Sequence, residues 1–118
     1  MNSTVLLVIV AVIIVLLVAW NKIKSNKAGS VIQSGALIID VRTPQEFESG
    51  HFSTAINIPH DQIERRIKEL GDDKNKPIVL YCHAGSRASI AAEVLKRNGF
   101  VNVVNAGGYS DIRRFDKK

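Results

Sequence analysis

The chain has 118 residues, with 16 lysines and arginines against 11 acidic residues, a net charge of +5, and a single cysteine. That length holds one small domain at most, and one cysteine with three scattered histidines excludes both an intramolecular disulfide framework and the ligand spacing of a structural zinc site. The basic excess lies largely in Lys22, Lys24 and Lys27 and in the tail Arg113, Arg114, Lys117 and Lys118, without a nucleic-acid motif or interleaved aromatics. It therefore reads as attraction to anionic headgroups, and nucleic acid is not an expected partner.

Residues 5–20 contain no charged side chain, and Ser3 and Thr4 extend the tolerable stretch to about 18 residues, near the lower limit for a spanning helix. Trp20 follows where an interfacial aromatic belongs, and the lysines come directly after it. The segment is expected to be a transmembrane anchor over residues 1–21, touching the membrane through residues 4–20, with a juxtamembrane linker over 22–29 and a domain over 30–118. A cleaved signal peptide would want a basic start and a small-residue site after the apolar run, and a buried helix would show a polar face; the sequence has neither. With the lysines on its C-terminal side, the anchor is expected to be single-pass in the cell (inner) membrane with the domain in the cytoplasm, a reducing compartment that keeps a lone thiol free.

Beyond the anchor, residues 21–29 read as a polar tether and residues 30–34 as one helical turn stopped by Gly35. Residues 36–41 form a continuous apolar run that predicts a strand buried on both faces. Thr43, Pro44 and Glu46 supply an N-cap hydroxyl, a proline at N1 and a capping-box glutamate, so a short helix is expected to Ser49, ending at Gly50. A second strand is expected over 55–58, ended by Pro59. Asp61 and Glu64 repeat the capping pattern, with Ile63, Ile67 and Leu70 on one face of a helix that stops at Gly71. Residues 78–81 predict a strand that delivers Cys82 into a turn, and a helix follows to Asn98 with Gly99 just past its end. The last strand is expected over 101–104, with Gly107 and Gly108 turning the chain into a final helix bearing Tyr109, Ile112 and Phe115. This alternation predicts an α/β fold, a parallel sheet flanked by helices on both faces and preceded by one transmembrane helix.

Cys82 falls at the C-terminal end of a strand, the edge at which open α/β sheets hold their ligands. The following helix end and Arg87 favour a thiolate, the reactive form, and Gly85 lets backbone close around the sulfur. Arg87 reads as a guanidinium for a sulfur oxyanion or as a clamp on loop carbonyls, and Ser86 and Ser89 as helix caps. His83 either orients an anionic substrate or points to solvent. Asp40 and Arg42 read as framework, with Glu46 the expected partner of Arg42, while His51 and His60 read as turn or surface residues.

The run Cys82-His83-Ala84-Gly85-Ser86-Arg87-Ala88-Ser89 resembles the active-site loop of the rhodanese family, sulfurtransferases that carry sulfane sulfur as a cysteine persulfide. Ile39-Asp40-Val41-Arg42 with Glu46-Phe47, Gly50-His51 and Ala55-Ile56-Asn57-Ile58-Pro59 is similar to that family's first signature, and Ala106-Gly107-Gly108-Tyr109 to the one near its C-terminus. The resemblance implies a rhodanese-like sulfurtransferase in which Cys82 is the nucleophile and His83, Ala84, Gly85, Ser86 and Arg87 bind substrate, with no cofactor or metal. The expected partners are a small sulfur-containing anion, such as thiosulfate or a persulfide, and a thiol or protein acceptor. A membrane-tethered binding or sulfur-relay module with little turnover is the alternative. A cysteine phosphatase or arsenate reductase ranks lower, because only four residues separate Cys82 from Arg87, one fewer than in the rhodanese-like phosphatases.

Overall fold

The computed structural model describes residues 2–117, and for residues 24–26 the backbone only, so Met1, Lys118 and the Lys24 side chain lie outside the described residues. The first helix, α1, runs from Ser3 to Gln33. At 1.5 Å per residue it is about 47 Å long. Asn2 caps its start, the side chain accepting the Val5 N–H at 2.9 Å. Its apolar part is unburied and is long and apolar enough to cross a membrane, by length and composition.

The polar segment 21–29 is helical, where an irregular tether followed by a separate turn was expected. Residues 3–33 contain one glycine, Gly29, and no proline interrupts the run. The last turns of α1 are also docked: Ala28 is buried, and Val31 and Ile32 pack beside the sheet. The helix ends as foreseen at Gly35, whose φ of 91° lets its N–H reach the Ile32 carbonyl at 3.1 Å.

Strand β1 (Leu37–Asp40), helix α2 (Pro44–Glu48) and strand β2 (Ile56–Asn57) come next. Thr43 and Glu46 close the expected capping box on α2. Residues 60–70 form two 3-10 turns, His60–Gln62 and Ile67–Leu70, instead of one amphipathic helix. The break is at Arg66, whose φ of −105° and ψ of 16° leave the helical region while Ile63 and Leu70 still reach the core. Strand β3 (Ile78–Cys82) leads through the loop into helix α3 (Ser86–Arg97). Gly99, at φ 94°, ends α3 by donating to the Lys96 carbonyl, and Phe100 donates to Leu95. Strand β4 (Val103–Gly108), helix α4 (Tyr109–Ile112) and a 3-10 turn (Arg113–Phe115) complete the fold.

The strands form one parallel sheet in the order β2-β1-β3-β4. Period-two alternation sorts the central strands between its faces. Ile39, Ile78, Leu80 and Cys82 meet Ala88, Ala91 and Leu95 of α3. Ile38, Val79 and Tyr81 meet Phe52, Ile112 and the end of α1. The glycine pair that was expected to turn the chain instead finishes β4: Gly108 pairs with Cys82 after an irregularity between Leu80 and Cys82. A Cβ at Gly108 would collide with the His83 carbonyl, so glycine is what allows β4 to run up against the loop.

Candidate active site

Cys82 is the last residue of the most buried strand and is itself only 1% exposed. Its sulfur is not walled off from polar groups. Gly85, at φ 99°, folds the loop back so that its N–H points at Sγ, 2.8 Å away. Gly85 is also the N-cap of α3, and its carbonyl accepts the Ser89 N–H at 3.0 Å. The first-turn amides of α3 have no acceptors within the helix and open toward the loop. This end carries the positive pole of a helix of 12 residues. His83, Ala84 and Ser86 are exposed on the loop.

Arg87 bonds an acid on α2, where a clamp on loop carbonyls was one expectation. Its guanidinium donates to Glu46, Nη1 to Oε1 at 2.7 Å and Nη2 to Oε2 at 3.0 Å, so α2 grips the start of α3. The Arg87 hydrogen bonds are the main reason that the Glu46 carboxyl is lowered from 4.5 to about 2. Glu46 in turn holds Arg87 above its ordinary value, and Cys82 and Asp40 add smaller contributions in the same direction, which puts Arg87 within electrostatic reach of the thiol. Ser86 and Ser89 are not caps. The cap position belongs to Gly85, and the Ser89 hydroxyl instead accepts from Asn105 Nδ2 at 2.9 Å.

Arg42 is paired with Asp40, not with Glu46. Arg42 Nε donates to both Asp40 oxygens at 3.0 Å, and Nη2 reaches Oδ2 at 2.6 Å and the Gly50 carbonyl at 2.7 Å. The guanidinium lies over the Tyr109 ring at 4.9 Å. Burial alone would lower the Arg42 pKa, but the hydrogen bond and charge of Asp40 outweigh it and hold it up. This buried pair is framework, as read from the sequence. His51 is structural too, stacked on Phe47 and bonded through Nδ1 to the Phe47 carbonyl at 2.8 Å.

Asn105 is the participant that sequence reasoning missed. It stands in β4, and its side chain donates to the Gly85 carbonyl at 3.0 Å and accepts the Gly107 N–H at 2.8 Å. Only the proximity of β4 to the loop could have signalled it, and local pattern carries no such information. A cavity of about 620 Å³ flanks the loop, lined by Ala84, Gly85, Asn105, Gly107 and Arg114 among others, and Cys82 does not line it.

Comparison with known proteins adds an independent line. The chain is 42% identical over 74 residues to the thiosulfate sulfurtransferase PspE of Escherichia coli K12, covering 63% of this chain and 71% of that one. It is 35% identical over 115 residues to the uncharacterized protein YqhL of Bacillus subtilis, covering 92% and 90%. Among solved structures, a rhodanese with anions from E. coli superposes with a TM-score of 0.63 at 40% identity, covering 66% of this chain and 92% of that chain. The family described as rhodanese-like domain matches residues 20–114, a span that holds the first signature, the Cys82 loop and the glycine pair of β4 in one frame, and the chain belongs to that family.

Proposed function

We propose that the chain is a membrane-anchored sulfurtransferase that works through a persulfide on Cys82. The observation that carries this is the sulfur itself, set at the end of β3 with the Gly85 N–H at 2.8 Å, at the N-terminus of α3. The Gly85 N–H is placed to donate to the sulfur as it reacts, in the manner of an oxyanion-hole donor.

In the first half-reaction the Cys82 thiolate attacks the outer sulfur of thiosulfate. The new S–S bond forms as the bond to the sulfonate sulfur breaks, and sulfite leaves with that electron pair. The persulfide sulfur then lies about 2 Å beyond Sγ, toward the loop mouth, where its negative charge meets the amides of the loop and of the first helical turn. In the second half-reaction an acceptor thiolate attacks this outer sulfur, and Cys82 leaves as the thiolate. No second cysteine exists to accept the sulfur internally, so the acceptor is a separate thiol, small or on a protein. His83, Ala84 and Ser86 border the entrance, and Gly85 forms the floor. Arg87 contributes charge beside the loop while Glu46 fixes its position. The four-residue spacing between Cys82 and Arg87, one short of the rhodanese-like phosphatase loop, also speaks against the phosphatase reading. Residues 4–20 anchor the chain, and Lys22, Lys24 and Lys27 keep the domain on the cytoplasmic side of the inner membrane.

The test is mass spectrometry of the full chain after incubation with thiosulfate. Cys82 should gain one sulfur atom that dithiothreitol removes, and Cys82→Ala should gain none. A wild-type chain that stays unmodified but hydrolyses an aryl phosphate would refute sulfur transfer. For the anchor, a cysteine placed at Lys117 in the Cys82→Ala background should react with an impermeant maleimide only after cells are permeabilised; labelling of intact cells would reverse the orientation.

A further inference from the structure

We propose that Asn105 is a positioning residue for sulfur transfer, its side-chain amide setting the Gly85–Ser86 peptide so that the Ser86 N–H is aimed at the sulfur carried by Cys82. The proposal rests on the persulfide reading above.

The Asn105 amide is committed on both sides. Nδ2 donates to the Gly85 carbonyl at 3.0 Å and to the Ser89 hydroxyl at 2.9 Å, while Oδ1 accepts the Gly107 N–H at 2.8 Å. The Gly85 carbonyl also receives the Ser89 N–H at 3.0 Å, which points it down the axis of α3. In a planar trans peptide the carbonyl and the following N–H point in opposite directions. Fixing the Gly85 carbonyl along the helix therefore sends the Ser86 N–H out of the helix end, to the side where the Gly85 N–H already meets Sγ at 2.8 Å. Successive amides from a left-handed residue and a helical one form an anion-binding concavity.

That arrangement has a restraint from outside the helix in addition to the Ser89 N–H. Gly85 is the N-cap of α3 without a side-chain cap bond, and it packs against Gly107, itself at φ 87°. With glycine at both positions no local side chain holds this peptide, and the Asn105 amide is the second donor on the Gly85 carbonyl beside the Ser89 N–H. A serine or aspartate cap would supply the restraint locally; here a residue of β4 supplies it from 20 positions away. The same amide holds Gly107, so both glycines are tied to one side chain.

The test uses the full chain with Asn105→Asp and Asn105→Ala. The aspartate keeps the shape and the bond from Gly107 but sets a carboxylate oxygen against the Gly85 carbonyl; the alanine removes all three contacts. Single-turnover sulfur loading from thiosulfate should fall by about tenfold or more in both, the scale expected when an oriented backbone donor is lost. Alkylation of Cys82 by iodoacetamide, a neutral reagent with no anion to seat, should change far less. In the wild-type chain the Ser86 amide resonance should shift when Cys82 becomes a persulfide, a readout available even if a variant fails to fold. Loading at the wild-type rate in either folded variant, a parallel fall of loading and alkylation, or an unmoved Ser86 resonance would each overturn the role of Asn105. A wild-type chain that never loads sulfur would instead overturn the persulfide reading itself.

Discussion

Replacing Glu46 by glutamine isolates a charge that ties α2 to the reactive loop. Glutamine can still close the capping box on Thr43, so the change removes the ion pair with Arg87 and little else. The carboxyl is lowered from 4.5 to about 2, chiefly by the Arg87 hydrogen bonds. Expressed fully as stability, such a shift would be worth about 3 kcal/mol. Glu46 and Arg87 side chains are, however, 32% and 26% exposed, so solvent screens much of it. Exposed pairs contribute about 0.2–1 kcal/mol, and two-point geometry with partial burial places this one at about 1–2 kcal/mol. Because the folded pKa lies below the unfolded one, this contribution is complete above about pH 4.5 and is lost as the pH falls through about 2. The assay is a double-mutant cycle with Arg87→Gln. Urea unfolding of the full chain in mild detergent is followed by circular dichroism. A coupling below about 0.3 kcal/mol at neutral pH would refute the assignment. So would a coupling that is unchanged as the pH is lowered toward the folded pKa.

Asp40→Asn should cost about 3–5 kcal/mol, because it leaves the buried Arg42 without its counter-charge; chemical denaturation measures this directly. Gly108→Ala and Gly99→Ala should differ sharply in thermal melting. At Gly99 a methyl group meets nothing closer than the Lys74 side chain at 3.9 Å, so the cost is the left-handed φ alone, about 1–2 kcal/mol. At Gly108 the added carbon strikes the His83 carbonyl, so the strand must part from the loop, and sulfur loading should fall along with the melting temperature. Thr43→Ala should lose about 0.5–2 kcal/mol through the cap of α2, read from the denaturation midpoint.

What could be read from the sequence was set by local rules. The apolar runs of β1 and β3, the capping box at Thr43 and the glycine after α3 depend on near neighbours in the chain, and each stands in the structure as expected. The segment 60–70 misled because its apolar spacing suits a helix, while Ile63 and Leu70 reach the same core from two tight turns. The polar stretch after Trp20 reads as a tether because it lacks apolar periodicity, yet Ala28, Val31 and Ile32 suffice to dock it, with Phe115 against Gly29.

The charge partners were the least legible part, and the reason is a competition that no local rule contains. One turn separates Arg42 from Glu46, a spacing that favours pairing on a helix, but Arg42 stands at the end of a strand, on the face where Tyr81 and Tyr109 lie. Asp40 is fully buried on that same face. Had Arg42 turned to Glu46, the Asp40 carboxylate would have been left in the interior without a counter-charge, which is far more costly than leaving a half-exposed Glu46 to find another partner. The deeper carboxylate therefore takes the nearer arginine. Glu46 is then available to Arg87, 41 residues away, at the first turn of the helix that starts beside the sulfur. The burial of one ion pair in the framework thus fixes which acid grips the reactive loop.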